Sequence, residues 1–246
     1  MTSPDYSPFA RQYAESRPGY PPELFAYLAS LVDRHTLAWD SATGNGQAAK
    51  GLARRFDRVI ATDISAEQIR HALPHPRIDY RVTRSEDSGL DSSSVDLATV
   101  ASAVHWFDLP SFFTEVTRVV HRGGVLAVWT YHVGCVEPPF DKVFEHLYQD
   151  IVSPYFSPGA KLVDEHYETI ALPGEPIAGK AFFMSASWNM HQIIAFIQSW
   201  SGTQQYIRKH GTDPVSLIQD DLRRLWDKPD KIRSVRWPLF LRVSRI

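Results

Sequence analysis

Residues Trp39-Asp40-Ser41-Ala42-Thr43-Gly44-Asn45-Gly46-Gln47 carry an apolar approach into a glycine turn, and the following stretch to Arg55 is rich in helix-forming alanines. That order predicts strand, tight turn and helix. A second apolar run, Val59-Ile60-Ala61-Thr62-Asp63, ends on a carboxylate. The chain is thereby constrained to an α/β sheet whose strand ends form a ligand site, as nucleotide-binding sheets do.

The alternation continues on both sides. Pro22 to Val32 has apolar residues at Leu24, Phe25, Leu28, Leu31 and Val32, the spacing of a helix lying on a core. After strands Leu37 to Ser41 and Val59 to Asp63, the pattern predicts helix Ala66 to Leu73, strands Ile78 to Thr83 and Val95 to Ala101, helix Pro110 to Val120 and strand Gly124 to Tyr131. Strands separated by helices imply right-handed crossovers and a mostly parallel sheet.

Beyond Tyr131 the alternation stops. A helix through Phe144, Leu147, Tyr148 and Ile151 is expected, then loops broken by Pro154, Pro158, Pro173 and Pro176, in a region suited to a substrate cap. From Val235 every second residue is apolar, which predicts a closing strand, with Pro238 marking a bulge or a strand start. At 246 residues the expectation is one domain over 1–246, with a core at 9–132, a cap containing a later strand at 133–234 and a terminal strand at 235–246.

The glycines alone leave the ligand open, because Gly44-Asn45-Gly46-Gln47-Ala48-Ala49 also fits the dinucleotide pattern G-x-G-x-x-G/A and Asp63 stands at the spacing of a ribose-binding acid. Asp40 discriminates. A carboxylate at the end of the first strand would repel a pyrophosphate by several kcal/mol at intermediate dielectric. It favours a ligand with positive charge there, and S-adenosylmethionine carries an ammonium and a sulfonium.

With Ile60-Ala61-Thr62-Asp63-Ile64-Ser65, Ser85-Glu86-Asp87, Val95-Asp96-Leu97-Ala98-Thr99-Val100 and Val120-His121-Arg122-Gly123-Gly124-Val125-Leu126 in order, residues 9 to 132 resemble the class I S-adenosylmethionine-dependent methyltransferases of the type 11 group. The resemblance implies a Rossmann-like, doubly wound, seven-stranded sheet with helices on both faces. Its last strand would run antiparallel beside the fifth, and a helical cap would follow the fifth.

The resemblance also implies cofactor contacts from Asp40, Ala42, Gly44, Gly46 and Gln47 in the first loop, and from Asp63 and Ile64 after the second strand. Ser85 and Glu86 would lie around the adenine and Ala101 beside the methyl group. The pattern departs at Ala42, where the family usually has glycine and where alanine cannot take positive φ without strain. Asp63 could instead cap the helix beginning near Ser65.

Ahead of this core, Tyr13-Ala14-Glu15-Ser16-Arg17-Pro18-Gly19-Tyr20-Pro21 is similar to a branch that includes relatives of trans-aconitate methyltransferase, an enzyme that esterifies a small carboxylate. Arg17 could clamp a carboxylate and Tyr13 help close a lid; a structural arm is the plainer role. His105, in Ala101-Ser102-Ala103-Val104-His105-Trp106-Phe107, could act as a general base on a hydroxyl, or orient the cofactor and pack against Trp106. The Asn/Asp-Pro-Pro-Tyr motif of amino methyltransferases acting on adenine or glutamine is missing there, which argues against a nitrogen of that kind as acceptor.

The expected activity is therefore methyl transfer to a small organic molecule, at a carboxylate or hydroxyl. A non-catalytic cofactor-binding partner is the alternative, and an NAD-dependent oxidoreductase a weaker one that lacks a Tyr-x-x-x-Lys pair. No G-x-S-x-G elbow or H-E-x-x-H helix supports a hydrolase, the histidines have no metal spacing, and no metal is expected. Cys135 is the single cysteine, which excludes an intrachain disulfide.

A net charge of −2 makes no case for nucleic acid as partner. From Arg208 onward ten basic residues face five acidic ones, read first as a solvated surface. No apolar run spans a bilayer and the start, Met1 to Tyr6, has no basic-then-apolar signal, so the default expectation is a cytoplasmic protein. The aromatic residues Trp188, Trp200, Tyr206 and Trp226 are expected in the cap, as core or as pocket wall.

Overall fold

In the computed structural model, which describes residues 18–246, eight strands form one sheet in the order β3-β2-β1-β4-β5-β8-β6, with β7 also paired to β8. The strands are β1 (Leu37–Ser41), β2 (Arg58–Asp63), β3 (Ile78–Val82), β4 (Val95–Ala101), β5 (Val120–Tyr131), β6 (Glu175–Ile177), β7 (Phe182–Trp188) and β8 (Arg233–Arg245). The first five pair in parallel. β8 runs antiparallel to β5, as expected, and reaches Tyr131 at Leu239.

Seven positions cross the sheet, the seventh shared by two short strands. β6 pairs with Val243 to Arg245 and β7 with Arg233 to Leu239, on the edge of β8 opposite β5. Pro238 lies in this register without a bulge. Arg236 exchanges both backbone bonds with Cys135 on the β5 side, so the nitrogen of Pro238, two residues along, faces that same side beyond the point where β5 has left. No donor is needed there.

Successive side chains on a strand face opposite ways, so a strand covered on both faces is apolar throughout. β5 shows this: Val125, Ala127 and Trp129 join one buried cluster, and Leu126 and Val128 the other. The first cluster packs α1 (Pro22–Ser30) and α2 (Gln47–Leu52) against the sheet, and takes in Phe140 and Phe144 of α5 (Pro138–His146) together with much of the cap. The second packs Phe112, Val116 and Val119 of α4 (Leu109–Val119).

The remaining helices are α3 (Ala66–Arg70), between β2 and β3, and the cap helices α6 (Ala160–Asp164), α7 (Met190–Gln198), α8 (Ser201–His210) and α9 (Gln219–Trp226). α3 stops three residues before the expected end, because Leu73 is 63% exposed and has no core to join. β5 starts earlier than expected: Val120 already pairs with Val95, and a register shift follows before Leu97 meets Val125. The cap helix expected through Phe144, Leu147, Tyr148 and Ile151 is α5 up to His146 and continues as a π-helical turn, Leu147–Val152.

Much of the basic charge of the last 39 residues is spent within the fold. Arg223, Arg224 and Lys231 pair with Asp220, Asp221 and Asp227, Arg233 pairs with Glu137, and Arg245 donates to the carbonyls of Gly123 and Leu31. Among the described residues no helix is long and apolar enough to cross a membrane.

Candidate active site

The chain crosses from β1 to β2 on one side and returns through β4 on the other, which opens a crevice at the carboxyl ends of these strands. Asp40 lies in the middle of it, in register with Ala61 of β2 and Thr99 of β4. It is fully buried. Its Oδ2 accepts from Thr43 Oγ1 at 2.5 Å and its Oδ1 from Thr99 Oγ1 at 2.8 Å. Burial outweighs these bonds, and the nearby charge of Asp63 adds to it, so the carboxyl is pushed up to about 6.

The loop above Asp40 has a left-handed backbone at Ala42 (φ 53°), Gly44 (58°) and Gly46 (86°). At Ala42 this confirms that the departure from glycine carries strain, about 1–2 kcal/mol for an L-residue. Gly46 is fixed by contact as well, since a Cβ there would stand 2.2 Å from Tyr80 Oη. It precedes Gln47, the first residue of α2.

Asp63, at the end of β2, is bound to this loop. Its Oδ2 accepts from Gly44 N and its Oδ1 from Ser65 N, each at 2.8 Å, and burial raises its pKa against those two bonds. It does not cap α3; Ser65 does, accepting from Gln68 N. Ile64 projects beside it, 56% exposed. Ser85 is buried and paired with Ser41 Oγ at 2.7 Å, which joins the end of β1 to the loop after β3. Glu86 accepts from Asp108 N with Oε1, at the start of α4, and faces Arg84 with Oε2. The structure thus brings Asp40, Ala42, Gly44, Gly46, Asp63, Ile64 and Ser85 to one crevice, with Glu86 at its rim; Tyr13 and Arg17 lie outside the described residues.

Ala101 ends β4, and the next residue, Ser102, is again left-handed (φ 53°). Its Oγ is buried without a hydrogen-bond partner among the described residues. Here a cavity of about 130 Å³ opens between the ends of β4 and β5 and the cap. His105 lines it from a 3₁₀ turn, with its ring 4.7 Å from Trp106 and its Nδ1 2.7 Å from Tyr167 Oη. Burial lowers the His105 pKa to about 4.

Residues 39–128 match the family model described as a methyltransferase domain. Over 261 aligned residues, 100% of this chain and 99% of the other, the sequence is 31% identical to a provisionally named methyltransferase of Dictyostelium discoideum. The chain belongs to the class I methyltransferase family. A solved structure from Anaeromyxobacter dehalogenans, provisionally described as a type II methyltransferase, matches this methyltransferase with a TM-score of 0.87 at 37% identity, over 93% of one chain and 97% of the other. An uncharacterised methyltransferase of Mycobacterium tuberculosis is 36% identical over 121 residues, 48% of each chain.

Sequence reasoning passed over part of the methyltransferase's cavity wall. His132, directly after β5, lines the cavity, and its Nε2 lies 3.1 Å from Asp164 Oδ1. The same oxygen accepts from Tyr148 Oη at 2.6 Å. A histidine at a strand's carboxyl end was the available signal; Tyr148 and Asp164 come from separate cap elements with no spacing to link them. Tyr167 is likewise delivered by a turn, His166 (φ 52°) and Tyr167 (φ 60°), whose carbonyl is held by Arg242 Nη1 at 2.7 Å.

The aromatic residues expected in the cap divide between the two roles. Trp188 and Trp226 are buried in the core, Trp200 lines the cavity, and Tyr206 packs against Tyr155 and His210.

Proposed function

We propose that this methyltransferase moves a methyl group from S-adenosylmethionine to an oxygen of a small organic acceptor. The observation that carries the donor assignment is the pair of carboxylates, Asp40 and Asp63, at neighbouring strand ends under and against the glycine loop. A dinucleotide would place its pyrophosphate against this negative charge, whereas an ammonium and a sulfonium gain from it.

The residues fit that donor in three further respects. A Cβ on Gly44 would touch only Gln68 Oε1, at 3.9 Å, so ligand atoms can approach the backbone there. Each oxygen of Asp63 has one backbone donor and keeps a lone pair for a ribose hydroxyl. Ile64 exposes an apolar side chain that an adenine ring would cover.

In this reading Asp40 sets the charge sensed by the donor's amino acid portion, and the backbone of Ala42, Gly44, Gly46 and Gln47 surrounds it. Ser85 and Glu86 border the adenine, and Ala101 lies by the methyl group. When bound, the donor supplies an electrophilic methyl carbon, and the protein contributes position and a dry site. Arg17 keeps its proposed role of clamping a carboxylate and Tyr13 that of helping to close a lid, and with them the esterification of a small carboxylate stays one acceptor chemistry. A hydroxyl acceptor is the other, and the polar groups at the ends of β4 and β5 support it.

Calorimetric titration with S-adenosylmethionine, S-adenosylhomocysteine and NADH tests the donor. Micromolar binding of both adenosyl ligands, weakened at least about tenfold in Asp63→Asn, is expected from the loss of charge-assisted bonds. Binding of NADH alone would refute it.

A further inference from the structure

We infer that the cavity at the ends of β4 and β5 receives a single-ring aromatic alcohol, and that His132, positioned by Asp164 and Tyr148, takes the hydroxyl proton as the oxygen is methylated. This deepens the proposed function and rests on it for the methyl donor.

Size and lining define the acceptor class. A volume of about 130 Å³ is of the scale that holds one benzene-sized ring. Trp106, Tyr148, Phe156 and Trp200 supply flat walls that favour an aromatic ring over a flexible chain. Ser102 Oγ, buried and unpaired among the described residues, is a polar group without a use in the protein's own bonding, and it lines the cavity from the end of β4. Such an atom costs stability unless something fills its hydrogen-bonding capacity, and an acceptor oxygen would.

Charge separates an alcohol from a carboxylate. No lysine or arginine lines the cavity among the described residues, so a carboxylate there would have no counter-ion and its burial would be costly. An alcohol enters neutral. It must then lose a proton, and a carboxylate would not need the base that the cavity contains.

That base is set by hydrogen bonding. Asp164 is held below its usual range: burial would raise it, but the bonds from His132 and Tyr148 prevail. As a carboxylate it accepts the Nε2 proton of His132, which fixes the tautomer and leaves a lone pair on Nδ1, a nitrogen with no partner among the described residues. Tyr148 donates to the same oxygen and holds the carboxylate in place. The π-helical turn carries Tyr148 into this position, and such turns are often found at functional sites.

Among the described residues the other titratable groups facing His132 are histidines. His166 lies with its ring 6.4 Å away and has its pKa lowered chiefly by burial, and His105 stands elsewhere on the cavity wall. His105, lowered to about 4 and bonded through Nδ1 to Tyr167, is a weak proton acceptor. Its contact with Trp106 suits it to shape the wall.

The step balances. The hydroxyl proton passes to His132 Nδ1, and the acceptor oxygen bonds to the methyl carbon as the carbon–sulfur bond breaks. The bonding pair stays on sulfur, whose positive charge is lost. The imidazolium is stabilised by Asp164 and returns its proton to solvent, to which the 25%-exposed His132 side chain has access.

The probe is 4-nitrophenol, whose anion absorbs visible light, added at neutral pH to protein saturated with S-adenosylhomocysteine so that no turnover occurs. Wild-type protein should bind it with a raised anion fraction. His132→Asn, which can still donate to Asp164, should bind it with that excess of anion over the free probe lost. Asp164→Asn should reduce the fraction in part, and benzoate should bind more weakly than the phenol. Failure to bind 4-nitrophenol, an unchanged anion fraction in folded His132→Asn and Asp164→Asn, or tighter binding of benzoate would each overturn the inference. Calorimetry on the adenosyl ligands alone decides the donor separately.

Discussion

Gly44 donates its backbone amide to Asp63 Oδ2 at 2.8 Å, so the acid expected to hold a ribose also closes the β1 loop onto the end of β2. Replacing Asp63 by alanine therefore has two effects. Stability should drop by about 1–3 kcal/mol, the cost of leaving partly buried amides unpaired, and binding of S-adenosylmethionine should be lost. Denaturant unfolding read beside calorimetry checks both, and unchanged stability would show that the loop does not depend on this tie.

Asp40 gives a pH dependence whose sign is fixed by its shift. Folded, it takes up its proton near pH 6; unfolded, near 3.8. Between those values the folded protein binds more protons, so the stability of the ligand-free protein should fall as pH rises through about 4 to 6. Affinity for a cationic ligand should change the opposite way, strengthening as the carboxylate ionises, by about tenfold between pH 5 and 7. Titrations at the two pH values test this, and Asp40→Asn should flatten both dependences.

Relief of strain should be measurable at Ala42. Ala42→Gly removes about 1–2 kcal/mol of left-handed strain and adds roughly 0.5–1 kcal/mol of unfolded-state entropy, leaving a small net gain. The melting temperature of the variant should match or exceed that of the parent. A loss of several degrees would show that the methyl group packs usefully.

Glu115 links the loop after β3 to α4. It accepts from Ser88 N at 2.9 Å, from Ser88 Oγ and from Arg118, and although burial works against it these bonds lower its pKa to about 2. Its contribution is complete above about pH 4.5 and should decline as pH falls toward 2. Glu115→Gln should cost about 1–3 kcal/mol at pH 7 and much less at pH 3, as measured by urea unfolding.

The cofactor half was legible because local signals carry it. Gly44 and Gly46 both take a left-handed backbone, Gly46 also has Tyr80 against it, and β1, β2 and β4 are mostly apolar with side chains in both buried clusters because both faces are covered. The acceptor half was not legible. Asp164 meets His132 across 32 residues and Tyr167 meets His105 across 62, through turns whose shape depends on tertiary bonds such as that of Arg242. His105 was visible from its place in the loop after β4; His132, directly after β5, carries no further signal because its partners are spread over the cap.

β8 separates β5 from the two short strands, and this imposes an order of assembly. β6 and β7 precede β8 in the chain, yet each finds its sheet partner only in β8. Neither can be held in the sheet until a strand beginning at Arg233 has been recruited against β5, about a hundred residues after Tyr131. Contacts of that sequence separation form slowly. Pulse-labelled hydrogen exchange should therefore find β1, β2 and β4 protected before β6 and β7, so that the nascent molecule has the crevice at its first strand ends before it has the far edge of its sheet.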